Sequence, residues 1–173
     1  MELLEAIQHR RSIRAFLNQD LPKNILKKLL SAAIMAPSAG NLQSWEFVII
    51  QNLKTKRAIA DAAFNQHFIS TAPLIIVACA NTTRSVQRYG NRGRELYCIQ
   101  ECAAAVQNLL LVAYSLGLGA CWVGAFNESM VSKLLDLPMD IRPVALIPLG
   151  YAAHDPSPPP RLPLERVLHY ERY

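Results

Sequence analysis

Arg10, Arg11, Ser12 and Arg14, in the stretch HRRSIRAF (9–16), set three guanidinium groups and a hydroxyl within five positions. Guanidinium forks match the oxygens of phosphate or carboxylate in pairs, so this spacing suits a bound anion; a solvated basic turn has the same spacing. PSAGNLQ (37–43) places Asn41 and Gln43 beside Gly40. Their amides offer donors and acceptors to the edge of a planar heteroaromatic ring, although a plain helix-to-strand connection reads the same way. GLGACWVGAF (117–126) is glycine-rich but ends a helix and precedes a strand, the reverse of the dinucleotide fingerprint. Gly124 there lets backbone approach a ligand, or bulges a strand.

No nucleophile and base stand at a recognisable spacing, and no GxSxG elbow exists. Cys98 and Cys102 share a helix face, but His9, His67, His154 and His169 are scattered, so reduced buried thiols are expected rather than a metal site. If the chain is an enzyme, a cofactor does the chemistry.

The elements that must position these residues follow from periodicity. Leu3, Leu4 and Ile7 predict a helix over 2–10, and Pro22 opens a second one with Ile25, Leu26, Leu29, Leu30, Ala33 and Ile34 on one face. WEFVIIQ (45–51) and LIIVACA (74–80) predict strands buried on both faces, with a short helix over 54–65 between them. Residues 81–97 are polar, basic and glycine-bearing, which predicts a mobile surface segment. A helix over 97–116, apolar on nearly every side from Ala103, must be enclosed, with one side left for a second subunit. ACWVGAF (120–126) predicts a strand, Asn127 caps a helix to about Leu135, and PVALIPLGY (143–151) predicts the last strand. DPSPPPRLP then favours an extended arm suited to lie across another surface.

With 173 residues, 51% hydrophobic and 18% charged, the composition is that of a folded globular chain, not a disordered one. The stretch between Glu101 and Glu128 has no formal charge, yet Gln107, Asn108, Gly117 and Gly119 make it a poor membrane span. An acidic amphipathic start differs from a signal peptide, so the expected compartment is the cytoplasm. The net charge of +5 is dispersed outside HRRSIR and 84–94, without regular aromatic interleaving, so a small anionic ligand is expected rather than nucleic acid.

HRRSIRAF, APSAGNLQSWEF, YGNRGRELYCIQECAAAVQNLLLVAYSLGLGACWVGAF, and PVALIPLGY with PPPRLPLERVLHYERY, taken in that order over nearly the whole chain, resemble the FMN-dependent nitroreductase family. The resemblance implies an α+β fold: a central, mainly antiparallel sheet wrapped by helices, in an intertwined homodimer with two FMN sites at the interface. One FMN-binding domain would span 1–173, and 152–173 would be a proline-rich C-terminal arm reaching the partner. Arg10, Arg11, Ser12 and Arg14 would hold the FMN phosphate and flank the pyrimidine side of the flavin. Pro37, Ser38, Ala39 and Asn41 would come from the other subunit, with Gln43 close behind. Asn65 would bond the pyrimidine edge, Val123 and Gly124 would turn a backbone N–H to the reactive nitrogen, and Arg161 would return to the phosphate.

The implied activity is that of an NAD(P)H oxidoreductase: NADH or NADPH reduces FMN and leaves, and an electron-poor small molecule such as a nitroaromatic, quinone or flavin takes the electrons in a ping-pong cycle. No side chain need act as acid or base. Phe68 and Pro159 depart from the pattern, standing where better-known members carry lysines, which leaves Arg14 as the main cation near the ring. Reductive dehalogenation, azoline oxidation and flavin cleavage are specialised alternatives on the same scaffold. A non-catalytic flavin-storing dimer and a basic nucleic-acid-binding module are the readings from other classes. Trp122 and Tyr97 could stack on a substrate, though buried aromatic residues more often belong to the core.

Overall fold

A computed structural model describes residues 2–173. The N-terminal half contains α1 (Leu3–His9), α2 (Ile25–Ala33), β1 (Trp45–Ile50), α3 (Leu53–Ala62), α4 (Phe68–Thr71) and β2 (Leu74–Asn81). It is followed by α5 (Thr82–Arg92), α6 (Cys98–Ser115), β3 (Gly119–Ala120), α7 (Glu128–Leu134) and β4 (Ile141–Gly150). The strands form one sheet in the order β1-β2-β4-β3, with every strand pair antiparallel. Hence the α+β architecture expected from the sequence is the one found.

The period-2 geometry of β2 divides the core in two. Ile76 and Ala78 face a layer built from α2 and α6, where Leu29, Val106 and Leu109 are fully buried. Ile75, Val77 and Cys79 face the other layer, with Ile59 of α3, Ile69 of α4 and Val131 of α7. Each fully buried Leu, Ile or Val among them contributes about 1.5–3 kcal/mol by leaving water. Local signals fix where the outer helices begin: Asn52 accepts hydrogen bonds from the N–H groups of Lys54 and Thr55 at 2.9 and 3.2 Å, and Asn127 from that of Met130 at 3.0 Å.

Three expectations need correction. β1 is an edge strand, and its residues 46–49 are only half-buried because one edge has no neighbouring strand among the described residues. Residues 81–97 are helical: Asn81 caps α5 by accepting from the Arg84 N–H at 3.2 Å, and Gly93–Tyr97 form a π-helical turn leading into α6. The helix bends at Gly90 (φ 55°, ψ −141°), and Gly93 lies against Ser85, where a β-carbon would fall 2.4 Å from the carbonyl oxygen.

The third correction is that 120–126 is not a continuous strand. Gly119 and Ala120 pair with Gly150 and Leu149, and Val123 and Leu146 exchange both backbone bonds at 2.9 Å. Between them Cys121 N–H donates to Pro148 O at 3.3 Å, but Pro148 has no N–H to return the bond, so the ladder lapses there.

The helical run from Thr82 to Ser115 is long and apolar enough by composition to cross a membrane. Here it is bent at Gly90, and α6 packs Cys102, Ala105, Val106, Leu109 and Ala113 against the sheet and α2. Ala103, Leu111 and Tyr114, on another face of α6, are half-buried.

Candidate functional site

HRRSIRAF leaves α1 as an extended segment clamped to the sheet edge. Ile13 N–H donates to Ala120 O at 3.0 Å, and the Ile13 side chain lies beneath Gly119, where a β-carbon would fall 2.7 Å from it. Since side chains alternate in an extended chain, burying Ile13 turns Ser12 and Arg14 the other way. Arg10, Arg11, Ser12, Arg14 and Arg161 line one cleft of about 340 Å³ together with Pro156, Ser157 and Pro159.

Among these lining residues there is no carboxylate. Burial, then the neighbouring charges of Arg11 and Arg161, push the Arg10 guanidinium below its ordinary pKa. Its buried Nε has no hydrogen-bond partner among the described residues. Arg11 Nη1 is partly engaged, donating to Gln8 O at 2.7 Å and Arg10 O at 3.0 Å at the end of α1. Four guanidinium groups and an orphaned donor form a cradle that an anion such as a phosphate would neutralise.

Arg14 links this cleft to a second group of site residues. Its guanidinium carbon stands 5.9 Å from the centre of the Phe68 ring. Asn65, three residues before Phe68, is exposed at the end of α3 with φ 61°. Gln66 Nε2 donates to Ala125 O at 3.0 Å, and Asn127 N–H to Ala62 O at 2.9 Å, tying this corner to the loop of Val123 and Gly124. The Val123 N–H is committed to Leu146. The Gly124 N–H makes no hydrogen bond among the described residues, and a β-carbon there would meet only Trp122 Nε1, at 3.9 Å. Of the two backbone groups singled out in the sequence, Gly124 holds the free donor.

Pro37, Ser38, Ala39, Asn41 and Gln43 lie elsewhere. Gly40, Asn41 and Gln43 have φ of 56°, 57° and 53°, which turns the chain back on itself. Ser38 Oγ accepts from the Gln43 N–H at 3.0 Å, and Gln43 Nε2 donates to Asn41 O and Oδ1, each at 3.3 Å. Pro37, Ser38 and Ala39 line a pocket with Tyr97, Gln100, Glu101 and Ala104, and none of the clustered arginines borders it. Within one chain, then, this loop is not brought to the arginine cleft.

Sequence reasoning missed what holds the loop. Glu101, buried in the first turn of α6, accepts from the Ala39 N–H at 2.9 Å and the Ser44 N–H at 3.2 Å. Arg84 Nη1 donates to Gln43 O at 2.9 Å. The one signal for Glu101 was a carboxylate opening an otherwise uncharged helix. Gln66 and Ser157 carried no signal at all.

The thiols offer no nucleophile. Burial pushes the pKa of Cys79 and Cys102 up to about 12 and raises those of Cys98 and Cys121, so all four stay protonated near neutrality. Among the described residues no cluster of three His, Cys, Asp or Glu could hold a metal ion. The cleft is therefore suited by charge to an anion and has one free backbone donor beside it, with no acid–base pair among its lining residues.

The model of the Nitroreductase family matches residues 7–68 and 63–151. The chain is 32% identical to an NADH dehydrogenase of Thermus thermophilus, over 92% of this chain and 91% of that one. It is 27% identical to an FMN reductase (NADPH) of Bacillus subtilis, over 98% of this chain and 74% of that one. A crystal structure of the NADPH:FMN oxidoreductase from Vibrio harveyi complexed with NAD+ superposes with a TM-score of 0.91 at 26% identity, covering 99% of this chain and 77% of that one.

Proposed function

The chain belongs to the nitroreductase family, and on that premise we propose that it is an FMN-dependent oxidoreductase that uses NADH or NADPH to reduce electron-poor small molecules. The observation that carries the reading is the carboxylate-free arginine cleft with its orphaned Arg10 Nε, beside the corner where Arg14 meets Phe68. Arg10, Arg11, Ser12 and Arg161 would hold the FMN phosphate. Arg14, Asn65, Val123 and Gly124 would serve the ring, with the Gly124 N–H as the free backbone donor.

FMN supplies the acceptance and onward delivery of electrons, for which no side chain here is suited. The protein's part is electrostatic and positional: fixed cations and a backbone donor stabilise negative charge without reorganising at the moment of reaction. The half-buried Phe68 ring also keeps water from one side of Arg14, which strengthens that charge's field.

The reading includes a cytoplasmic homodimer in which Pro37, Ser38, Ala39, Asn41 and Gln43 complete the partner's site. It is supported by the separate linings of this loop's pocket and of the arginine cleft, by the half-buried second face of α6, and by exposed Leu162, Leu164, Val167 and Tyr170 on the arm. Such apolar surface is usually covered.

The test is the visible spectrum of the purified protein, followed by anaerobic addition of NADH and then NADPH. The expected result is a flavin spectrum that bleaches and returns when a quinone is added. Persistent yellow would overturn the enzymatic part, and no colour after FMN is supplied would overturn the flavin site.

A further inference from the structure

α5 and the π-helical turn after it hold a second cationic device, which the proposed flavin site does not use. Tyr89, just before the Gly90 bend, and Tyr97, at the end of the turn, meet edge to face with ring centres 5.2 Å apart. Each ring supports one arginine: the guanidinium carbon of Arg88 is 5.6 Å from the centre of Tyr89, and that of Arg92 is 5.4 Å from the centre of Tyr97. Arg92 Nε also donates to Tyr97 Oη at 3.0 Å. The bend makes this possible, because it folds the second segment back so that residues on its two sides share one aromatic pair.

Neither Arg88 nor Arg92 forms an ion pair among the described residues, whereas Arg84 one turn earlier is bound to Glu46. Both guanidinium groups are therefore oriented by stacking while most of their N–H donors stay free. Holding two like charges on one small platform costs energy unless an anion arrives, and side chains already ordered lose less entropy on binding one. The platform's location is informative as well. A β-carbon on Gly40 would fall 2.7 Å from Arg88 Nη1 and 2.8 Å from Tyr89 Oη, so the Arg88 and Tyr89 side of the platform rests directly on the 37–43 loop.

We propose that Arg88 and Arg92 form the phosphate-binding subsite for the pyridine nucleotide donor, at the rim of the site to which the 37–43 loop contributes; this rests on the oxidoreductase reading above. The nicotinamide end must reach the flavin, so the phosphates of the same molecule lie away from it, and two free guanidinium groups on the adjoining helix α5 meet them. The donor's 2′-phosphate and its pyrophosphate offer the same chemistry, and a comparison of donors separates them.

The experiment compares the wild-type protein with the double variant Arg88→Gln/Arg92→Gln, using NADPH, NADH and 1-benzyl-1,4-dihydronicotinamide, a donor without phosphate. The ratio of kcat/KM for NADPH to that for the benzyl donor is expected to fall about 10- to 100-fold, with KM carrying most of the change. An equal fall with NADH assigns the pyrophosphate, and a fall confined to NADPH assigns the 2′-phosphate. Arg88→Lys/Arg92→Lys should recover part of the loss, since charge returns without the fork. An unchanged ratio, whether all donors keep or lose activity together, overturns the proposal.

Calorimetric titration with NADP+ needs no turnover and separates this proposal from the one it rests on. Wild-type affinity should weaken with added salt and fall in the Gln variant. If no donor reduces the wild-type protein, the oxidoreductase reading fails, while the NADP+ titration still decides the subsite; equal affinity in both proteins would sink it.

Discussion

The Arg14 guanidinium carbon lies 5.9 Å from the centre of the Phe68 ring, at the position where the resemblance leads one to expect a lysine. On that resemblance, one cation and an aromatic wall stand where two cations are expected. Phe68→Lys should raise the midpoint potential of bound FMN, because a second positive charge favours the reduced, more negative form. A gain of about 1.4 kcal/mol corresponds to about 30 mV for a two-electron couple. Spectroelectrochemical titration measures it, and an unchanged or lower potential would remove position 68 from the flavin's surroundings.

Arg10 is half-buried and repelled by like charges, so its effects on stability and on binding should have opposite signs. Arg10→Met removes a desolvated charge and an orphaned donor, which should raise the melting temperature of the flavin-free protein. The same change should weaken FMN by about 10- to 100-fold, as expected for one charge-assisted contact. Differential scanning fluorimetry with and without FMN reads both, and a fall in apo stability contradicts the account.

Glu101→Gln keeps the size of the side chain but turns an amide donor toward one of two N–H donors. The buried mismatch should cost about 1–3 kcal/mol. Loss of protection in hydrogen exchange should be concentrated at the Ala39 and Ser44 amides, whose bonds to Glu101 measure 2.9 and 3.2 Å. Uniform destabilisation with those amides still protected would show that the carboxylate does not hold the loop.

Alkaline pH should unfold the chain through its buried thiols. Cys79 and Cys102 are raised from 9.0 to about 12 by burial, so the folded state retains protons that the unfolded state releases. Their contribution is complete below pH 9 and is lost as pH rises from about 9 toward about 12. At pH 10 the loss amounts to about 1.4 kcal/mol for a thiol of this kind. Cys79→Ala should flatten that decline in urea melts between pH 8 and 11, and an identical slope would refute the assignment.

What the sequence disclosed was mostly local. The four-residue spacing of Ile25, Leu29 and Ala33 marked the buried face of α2, and Asn127 announced α7 three residues ahead of its bond to Met130. Residues 81–97 read only as a mobile surface segment, with no helix expected, because their composition is polar and glycine-bearing; their glycines mark a bend rather than an end. The end of β3 depends on Pro148, a residue 27 positions beyond Cys121, which no local pattern contains.

The candidate site divides in the same way. Arg10, Arg11 and Arg14 declare themselves by charge density. Arg161 stands alone among prolines and is legible only through resemblance, because the arginines it joins in the cleft lie at the opposite end of the chain. Glu101 meets its partners across 62 and 57 residues of sequence, a relationship created by folding alone.

Beyond Ala153, whose N–H bonds Ala15 O, the arm makes no backbone hydrogen bond to the rest of the chain among the described residues. Arg161 nevertheless stands in the cleft with Arg10. An anion seated there would fasten the tail to the body, and its departure would release it. Resistance of residues 154–173 to a carboxypeptidase then becomes a gauge of how much of the protein is loaded, readable by mass spectrometry in a crude extract where colour is too faint to see.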